Sequence, residues 1–591
     1  MMIHMKRGIM KKIAVMLLIS MMIASATACR GGDNVSSSGG SSMAVGSETS
    51  ASGEDVYSSG EVVSVDSSGN IVSADGTSTS ASKTNQSSNK TSSKGNSAQT
   101  STVSTATRTK VFQVESYGAK GDGKTDDGPA IAAAINAAKQ DSSSKKVVQF
   151  KANTTYRVIS VPNTSASNRF VMNLANAENI TVQGSNTKLL LKAPCRVANV
   201  NESTNINIQG FVVDYSPKPF ALGTVTEINS AQKYIDFTTT TDLGFSGTQT
   251  APETYFAFRN RDDERRHYFI TKMEKKGTGS YRFYFKGTDH FSVVTKGEQF
   301  ILPVYGSSHN VGGLMTITST ENFEAKNIKI YAAPDFLIGL RKNTGYTKFT
   351  NVRIEKDPSS AVKLVAWRDG YHVKDNLSKM TWDNCYIGTI GDDAFNLSSV
   401  TCTVDSYNSS SRIINMLPGE DGVTREGLSA GDELVVYNKT SGKLVGEAKI
   451  VSTINSSSNV VVKIDRDLAI TPGDKVDFYR YNKDYVIKNT YIEGTVRVRS
   501  SGTFQNCQFN VFWVNIENDG YYWEGPVPKN ITFSKCTFTT PYSKDTAIFN
   551  VATNTSNYTA AEYKCKNIVL SGCTFTKGTI SVQDGNQLIQ K

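Results

Sequence analysis

The sequence predicts an all-β protein: a right-handed parallel β-helix (a single-stranded solenoid) with an N-terminal capping helix and two inserted small antiparallel β-barrels. Three observations support this fold class. A short phrase recurs along the chain, a glycine-rich segment and a helical pattern precede it, and two stretches with a different strand pattern interrupt it. Because strands recur with no helices between them, each coil must bury its apolar face against the next coil.

The recurring phrase begins with Asn and continues with alternating apolar and polar residues, at spacings of about 22 to 26 residues between neighbouring copies. Six copies are Asn179–Val182, Asn205–Ile208, Asn327–Ile330, Asn351–Ile354, Asn530–Phe533 and Asn567–Leu570. Asn in that place fits a left-handed turn residue or a ladder of side chains. A β-sandwich is the competing interpretation, but the phrase returns in the same phase, which favours the solenoid.

Four of the eight cysteines have near-identical surroundings, each followed two residues later by Ile or Phe. They are Cys385, Cys507, Cys536 and Cys573. No pair has the close spacing of a metal site. We therefore expect stacked, buried thiols rather than a disulfide framework, because cysteine packs well as a small apolar residue.

The glycine-rich segment Tyr117–Asp127 leads into a helical pattern that predicts the cap. Asp127 suits the N-cap position and Pro129 suits the first turn. Ile131, Ile135 and Ala138 form one apolar stripe, which should plug the open end of the coils. The adjacent pair Asp126 and Asp127 is interpreted as structural rather than catalytic.

Residues 218–306 and 400–482 read as antiparallel meanders, since alternating strands there are separated by Gly, Asn and Asp. We interpret them as the two inserted barrels, which leaves 110–217, 307–399 and 483–591 as the parts of the β-helix. The barrels are expected to wall the functional site; decoration without substrate contact is the alternative.

The N-terminus predicts the compartment. Residues 1–28 have the basic, apolar and small-residue regions of a signal peptide. Ala26–Cys29 resembles a bacterial lipobox, which predicts acylation of Cys29 and an extracellular, cell-surface lipoprotein; a plain secreted protein is the alternative. Residues 29–109 are rich in Ser, Thr and Gly and should form a disordered tether, because they contain too few apolar residues to form a core.

Charge and histidine content exclude several functions. The net charge is +10 without a dense basic run, so no nucleic-acid partner is expected, although a weak preference for an anionic polysaccharide remains open. A membrane partner is expected through the lipid anchor only. Four histidines follow the signal peptide, at positions 267, 290, 309 and 372. This makes a Ser-His-Asp site or a histidine-rich metal site improbable, and neither a cofactor nor a metal is predicted. The sequence leaves the oligomeric state unknown.

The densest polar clusters are Arg368–Val373 and Gly391–Asn396. Asp369 and Asp392 are about one coil apart, so these two and Asp393 should converge on one face at a spacing of about 4.8 Å. Like charges at that distance raise at least one pKa, which places an acid beside a base. Glycoside hydrolysis requires that pairing. A calcium site or a ladder of turn-capping aspartates is the alternative.

These motifs also carry a family resemblance. The glycine-rich cap resembles the start of pectate-lyase-like β-helix enzymes. The order of Ile328–Pro334, Asp369–His372, Gly391–Asn396, Ile516–Asp519 and Trp523–Val527, with barrels in the same two gaps, resembles glycoside hydrolase family 110, the α-1,3-galactosidases. The resemblance implies inverting hydrolysis of terminal α-1,3-linked galactose without a metal.

The resemblance also assigns residues. It implies that Asp369, Asp392 and Asp393 are the catalytic carboxylates, that Asp519 and Glu524 contact sugar hydroxyls, and that Trp523 is a stacking platform. Arg368, His372 and Glu517 complete the predicted substrate-binding set. On a continuous strand His372 would face away from Asp369, whereas a turn between them would reverse that inference.

Two other functions are left open. A polysaccharide lyase or polygalacturonase-like enzyme on uronic acids is one; a lyase needs a basic proton abstractor, for which Arg341, Lys342 and Arg368 are candidates, and calcium. A glycan-binding surface protein without catalytic activity is the other.

Overall fold

The computed structural model describes residues 109–591, apart from 163, 166–168, 253–254, 265, 290, 307–311, 418–426, 455, 457, 519–523 and 554–563. The predicted signal peptide, Cys29 and nearly all of the predicted tether lie outside the described residues. Within the described part, no helix has the length and apolar content needed to cross a bilayer.

The first coils contain eight strands: β1 (Thr109–Gln113), β2 (Asp122–Asp126), β3 (Lys145–Gln149), β4 (Thr155–Val158), β5 (Phe170–Asn173), β6 (Glu178–Leu191), β7 (Arg196–Asn201) and β8 (Thr204–Tyr215). Helix α1 (Gly128–Gln140) lies between β2 and β3, and a 3₁₀ turn (Val114–Tyr117) follows β1. The first insert contains β9 (Phe220–Asn229), β10 (Tyr234–Thr238), β11 (Thr248–Thr250), β12 (Phe256–Arg259), β13 (Tyr268–Gly277), β14 (Ser280–Phe285), a 3₁₀ turn (Phe291–Val293) and β15 (Gln299–Pro303).

The coils resume with β16 (Met315–Thr318), β17 (Glu321–Ile330), β18 (Ile338–Arg341), β19 (Thr344–Ile354), β20 (Tyr371–Lys374), β21 (Lys379–Asp383), β22 (Tyr386–Ile387) and β23 (Asp393–Ser398). The second insert contains β24 (Cys402–Asn408), β25 (Ile413–Leu417), β26 (Glu433–Tyr437), β27 (Leu444–Ile454), β28 (Val460–Ile464) and β29 (Lys475–Phe478). The last coils contain β30 (Tyr485–Lys488), β31 (Tyr491–Val498), β32 (Gly502–Gln505), β33 (Gln508–Asn518), β34 (Lys529–Ser534), β35 (Thr537–Thr539), β36 (Ala547–Thr553), β37 (Lys566–Ser571), β38 (Thr574–Phe575), β39 (Thr579–Val582) and β40 (Leu588–Gln590).

Every pairing between coils is parallel, and the pairings form three sheets that run the length of the stack. Sheet 1 consists of β1, β3, β6, β8, β17, β19, β21, β30, β32, β34, β37 and β40. Sheet 2 consists of β2, β4, β6, β8, β17, β19, β22, β31, β33, β35 and β38. Sheet 3 consists of β5, β7, β16, β18, β20, β23, β31, β33, β36 and β39. The right-handed parallel β-helix predicted from the sequence is thereby confirmed.

Stacked aromatic side chains fill the interior beneath the central coils. The rings of Phe349 and Trp382 are nearly parallel at 5.6 Å, and those of Tyr371 and Phe395 at 5.0 Å. All four residues are buried. Such close packing fixes side-chain rotamers and resists small displacements of the backbone. The strands β20 and β23 therefore rest on a rigid base.

The recurring asparagines adopt the conformation that the sequence predicts. All six have φ between 51° and 57°, in the left-handed region. Their side chains also form ladders along the stack, in which Nδ2 of Asn205 donates to Oδ1 of Asn179 at 2.8 Å and Nδ2 of Asn351 donates to Oδ1 of Asn327 at 2.8 Å. The recurring asparagine is therefore both a left-handed turn residue and a member of a side-chain ladder, the two alternatives that the sequence left open.

The seven cysteines among the described residues are all free thiols. Six are buried, and Cys573 is half-buried. The four cysteines singled out above each follow their sheet 1 strand at the same position, and the registers of those strands align them along the stack. The predicted stack of thiols is thus confirmed, with Thr490 in the gap between Cys385 and Cys507.

Helix α1 packs against β1, β3, β5 and β6, as expected of a cap. Asp127 occupies its N-cap position, but its side chain makes no capping hydrogen bond. Instead the carboxylate accepts hydrogen bonds from the backbone N–H groups of Lys120 at 2.6 Å and Gly121 at 3.2 Å. The role of Asp127 is therefore to fix the glycine-rich segment, which differs from the predicted helix cap.

Both inserts are antiparallel. The second is a closed barrel of six strands. In the first, the pairings run in a circuit through β13, β12, β15, β9, β10 and β14 and back to β13, with β11 added at β13. The first insert contacts the coils that carry the candidate site: the ring of Phe258 stacks on Trp367 at 5.1 Å, and Nε2 of His267 lies 2.8 Å from the carbonyl oxygen of Gly391.

Candidate active site

Three predicted carboxyl groups lie at the start of neighbouring strands in sheet 3. Asp369 lies two residues before β20, and Asp393 is the first residue of β23. The register pairs Tyr371 with Phe395, so Asp369 is level with Asp393, and a bridge between Ala366 and Ile390 places Asp392 level with Arg368. The coil is thus one residue longer here than the interval from Asp369 to Asp392.

The three carboxyl groups converge. One oxygen of each lies within 4.8 Å of one oxygen of each of the others. The side chains of Asp369 and Asp393 are each 4% exposed, whereas that of Asp392 is 30% exposed. Asp392 is therefore the carboxyl group of the cluster that is exposed to solvent, and the other two are buried.

His372 belongs to this cluster. Its Nδ1 lies 2.7 Å from Oδ2 of Asp369. Asp369 precedes the strand instead of lying in it, so the turn brings both side chains to the same side. Burial, reinforced by the nearby cations Lys374 and Arg341, holds the pKa of His372 well below its usual range. The imidazole is therefore neutral, and the shared hydrogen bond carries a proton from either the imidazole or the carboxyl group.

Burial and mutual repulsion keep protons on the cluster. Burial first, and then the charge of Asp392, raise the pKa of Asp369 to about 8, although Arg368 and Arg497 oppose the shift. Burial also raises the pKa of Asp393 well above its usual value, against the effect of Arg497. At neutral pH the cluster therefore contains a carboxylic acid next to the solvent-facing Asp392, as predicted for a general acid beside a base.

Two arginines flank the carboxyl groups. Nε of Arg497 lies 3.0 Å from Oδ2 of Asp393. Nε of Arg368 lies 3.8 Å from Oδ2 of Asp392, and its guanidinium covers the ring of Phe336 at 4.4 Å. Arg368 was among the predicted substrate-binding residues, whereas Arg497 was not. The sequence suggests Arg497 only as a partial substitute for an Arg-Gly pair that the family often has where this chain has Glu493–Gly494. The strand registers assign it to the site, because Arg497 is in register with Asn396, which is in register with His372.

Glu524 lies in a network of cations next to the cluster. Its Oε1 lies 2.9 Å from Nζ of Lys374, and its Oε2 lies 2.7 Å from Nη1 of Arg499. Burial favours the neutral form, but Lys374, Arg499 and Arg497 outweigh it and hold the pKa of Glu524 well below its usual range. The resemblance assigns Glu524 to sugar hydroxyls; the structure shows its carboxylate bound to cations of the protein.

The network continues from Lys374 to Ser398 and Asn396 on the adjacent strand β23. Nζ of Lys374 donates to Oγ of Ser398 at 2.5 Å, and that hydroxyl donates to Oδ1 of Asn396 at 2.7 Å. Lys374 and Arg499 are almost completely buried. Glu524 supplies a balancing negative charge to these residues, because a buried charge without a partner is costly. Asn396 ends the polar cluster Gly391–Asn396 that the sequence singles out, although no role was predicted for it. Lys374 and Ser398 were missed, since nothing in their local sequence distinguishes them from other strand residues.

The remaining predicted residues are placed as follows. Glu517 is half-buried in β33, and its backbone carbonyl accepts a hydrogen bond from Nε of Arg499 at 3.1 Å. Asp519 and Trp523 lie outside the described residues, as does Cys29. The structure thus brings together the three aspartates, His372, Arg368 and Glu524, and connects Glu517 to them through its main chain.

The aspartate cluster could also hold a cation. Three carboxylate oxygens within 4.8 Å of one another suit the oxygen-rich coordination of calcium. However, Arg497 and Arg368 occupy positions beside two of the carboxyl groups, and His372 uses an oxygen of the third. A divalent cation would have to compete with these groups. The donor set is therefore compatible with calcium but better satisfied by the protein's own cations.

Comparison with protein families and with curated proteins gives no match. Among solved structures the chain is similar to ORF18 of Geobacillus virus E2 (10% identity, 81% of this chain covered, TM-score 0.34), of whose length it spans 60%. It is also similar to an endo-xylogalacturonan hydrolase from Aspergillus tubingensis (12% identity, 80% of this chain and 95% of that chain, TM-score 0.35). A third is PfbA, a surface adhesin of Streptococcus pneumoniae (12% identity, 81% and 93%, TM-score 0.29). At these scores the function must be argued from the site itself.

Proposed function

We propose that this protein is a glycoside hydrolase with Asp369, Asp392 and Asp393 as its catalytic carboxyl groups. One observation carries the proposal: three carboxyl groups from two neighbouring coils converge, and a single one of them, Asp392, reaches solvent. A structural ladder of turn-capping aspartates would be satisfied by backbone N–H groups. Here the partners of these side chains are instead an imidazole and two guanidinium groups.

The chemistry needs one protonated and one ionised carboxyl group. The protonated group donates its proton to the glycosidic oxygen as the bond from that oxygen to the anomeric carbon breaks. The ionised group accepts a proton from water, whose oxygen bonds to the anomeric carbon. Burial keeps a proton on Asp369 near neutral pH, and the solvent-facing Asp392, with Nε of Arg368 at 3.8 Å from its Oδ2, is assigned as the ionised group. The proton taken from water restores the acid after each turnover.

The resemblance to glycoside hydrolase family 110 supports a finer proposal, an exo-acting enzyme on terminal α-1,3-linked galactose with inversion. The spacing of the carboxyl groups adds a separate constraint. Oxygens within 4.8 Å of one another are closer than the roughly 6.5–9.5 Å between carboxyl groups of most inverting enzymes and nearer the roughly 5–5.5 Å of retaining ones. The resemblance and the spacing therefore predict opposite anomers.

The experiment uses the mature chain and a panel of α- and β-linked glycosides that includes an α-1,3-galactosyl oligosaccharide. NMR spectra recorded in the first minutes identify the sugar released and its first anomer. Release of galactose as the β-anomer supports the full proposal, and release as the α-anomer supports retention. No hydrolysis of any glycoside on the panel would refute the hydrolase assignment.

A polysaccharide lyase is the second candidate, since three convergent carboxylates can bind calcium and cations suited to proton abstraction or charge stabilisation lie close by. Arg341, one of the predicted abstractors, is in register with Lys374 on the adjacent strand. A lyase would form an unsaturated product that absorbs in the ultraviolet, whereas hydrolysis forms none. Spectra of digests of uronic-acid polymers therefore separate the two reactions.

We also propose that the protein is anchored to a cell surface through a lipid on Cys29, with residues 30–109 as the tether. Only the sequence supports this placement. Replacement of Cys29 by Ser should abolish incorporation of labelled fatty acid and release the protein into the medium. Fatty-acid labelling that persists in Cys29→Ser would contradict the anchor.

A further inference from the structure

A second groove lies on the outer face of sheet 2, and none of the three aspartates lines it. Its volume is about 450 Å³, within the roughly 300–1,000 Å³ of small-molecule sites. The residues that line it combine tyrosines, carboxylates, lysines and an amide; Tyr331, Glu355, Tyr386, Glu493 and Asn510 are the ones on which the argument depends. Tyr331 lies within the motif Ile328–Pro334, but the proposed reaction uses none of these side chains.

Tyr386, which lines the groove, belongs to a stack of rings. Tyr386 and Tyr491 are in register on adjacent coils, and their rings are stacked at 4.6 Å with an angle of 13°. The guanidinium of Arg353, one coil earlier, lies 4.8 Å from the ring of Tyr386. This continuous cation and ring stack is rigid, and the hydroxyl ends of its rings are polar.

One coil carries a glycine, Gly388, beneath the ring of Tyr386 at the groove. The registers place Glu355, Gly388, Glu493 and Asn510 in one row across four coils. A methyl group added at Gly388 would lie 2.9 Å from Cε1 of Tyr386 and 3.4 Å from Oε2 of Glu493. Gly388 does not have a positive φ, so the backbone does not require glycine there. The glycine instead makes room for the ring of Tyr386, which lies against it beside the carboxylate of Glu493.

The opposite side includes Asp262 from the first insert, next to Lys356 and Pro358. Oδ1 of Asp262 lies 3.4 Å from Nζ of Lys356, and its Oδ2 lies 2.6 Å from Nζ of Lys363. The insert is therefore held against the coil by ion pairs at the groove. Three acidic and two basic side chains line the groove, and this balance disfavours an anionic ligand.

We infer that this groove binds a neutral saccharide. Oε2 of Glu355 accepts a hydrogen bond from Arg353, and Oε1 of Glu493 accepts one from the backbone of Thr389. Each carboxylate has further lone pairs that accept hydrogen bonds from sugar hydroxyls. Asn510 offers both a donor and an acceptor, and the tyrosines present apolar ring surface with polar tips. Of the two lysines in the lining, Lys356 already pairs with Asp262 at 3.4 Å, and the three acidic side chains of the groove would repel the carboxylate of a uronic acid. The inference does not depend on the proposed hydrolysis, because binding is measured without turnover.

Binding is tested on the mature chain carrying Asp392→Asn, which prevents turnover. The probes are α-1,3-galactobiose, lactose, maltose and xylobiose, with digalacturonate as the anionic comparison, and saturation-transfer NMR and calorimetry give the affinities. At least one neutral disaccharide should bind. Adding Gly388→Ala, whose methyl group would displace the ring of Tyr386, should weaken that binding at least tenfold, and Glu493→Gln should weaken it several-fold while preserving shape.

Gly277→Ala is the matched control, because a methyl group there would meet nothing within 4 Å and Gly277 lies in the first insert away from the groove. It should leave binding unchanged. Thermal unfolding establishes that all variants are folded. The inference is overturned if no neutral probe binds, if digalacturonate binds as tightly as the best neutral probe, or if binding survives both Gly388→Ala and Glu493→Gln. Binding of a neutral probe, together with no hydrolysis of any glycoside by the protein that retains Asp392, would refute the proposed function alone.

Discussion

Oδ2 of Asp393 lies 3.0 Å from Nε of Arg497, although the second insert separates the two residues in the chain. Asn396 and Arg497 are in register on adjacent strands of sheet 3, so the coil that follows the insert supplies the cation for the coil that precedes it. An acidic cluster this buried needs such a partner, because neighbouring carboxylates repel each other. The insert therefore interrupts the sequence of the site but not its geometry.

Replacement of Asp392 by Asn should reduce hydrolysis by about 10²–10⁴-fold, the usual contribution of a general acid or base. The substitution removes the solvent-facing carboxyl group and conserves its shape, so the fold should be retained. Initial rates on the best glycoside and circular dichroism check both expectations. Asp383→Asn is the control, because Asp383 pairs with Lys488 on the outside of sheet 1. Equal rates in the two variants would argue against the assignment.

The pH dependence of activity follows from the raised pKa of Asp369, about 8. Below that pH the carboxyl group retains its proton and can act as an acid; above it the proton is lost. The value of kcat/KM should therefore fall as the pH rises through about 8. A profile that remains flat to pH 10 would show that Asp369 is not the acid.

Stability should depend on the same group with a definite sign. Since the pKa of Asp369 is raised from 3.8 in the unfolded chain to about 8 in the fold, its contribution to stability is complete below about pH 4 and is lost as the pH rises to about 8. Asp369→Asn cannot ionise. It should raise the melting temperature by a few degrees at pH 8.5 and have a smaller effect at pH 4. Thermal unfolding at both pH values measures this difference, and an equal effect at both would contradict it.

Glu524→Gln should destabilise the fold by about 3 kcal/mol, because it leaves Lys374 and Arg499 buried without a balancing charge. Combining it with Lys374→Met should recover part of the loss. Glu324→Gln is the matched control, since Glu324 pairs with Lys326 on the surface, and such pairs contribute about 0–1 kcal/mol. Denaturant unfolding gives the free energies; similar losses for the two Gln variants would refute the buried network.

Removal of divalent cations should leave activity unchanged, because guanidinium groups already lie beside Asp392 and Asp393. Hydrolysis rates are compared before and after dialysis against a chelator, and again after addition of calcium. A loss that calcium restores would instead support a cation at the aspartate cluster and favour the lyase.

The fold was predictable because each coil carries the same short sequence motif. The six asparagines and the cysteine positions mark the coils, and their backbone and packing depend on the nearest coils alone. The aspartate cluster was predictable for the same reason, since Asp369 and Asp393 lie on adjacent coils. Which aspartate of the second coil lies level with Asp369 was not predictable, because the number of residues in a coil depends on its turns. The register places Asp369 beside Asp393 instead of Asp392.

The cation network could not be predicted in the same way. Glu524 reaches Lys374 across 150 residues and an inserted barrel, so no local pattern connects them. The strand register alone shows that Arg497 shares a row with Asn396 and His372. The side chain of Asp127 illustrates a different limit: its place in the chain predicts a helix cap, but nearby backbone N–H groups in the glycine-rich segment compete for the same carboxylate.

Ala198 pairs with Met315 as if the first insert were absent, and Thr204 pairs with Glu321 in the same way. The stack therefore tolerates a whole folded unit inside one turn, provided that the chain returns in phase. Such a scaffold can acquire, lose or exchange the walls around its sites while the catalytic strands keep their positions. Selectivity and reactivity can then change independently, and the inserts are the natural place to graft new ligand preferences onto this chain.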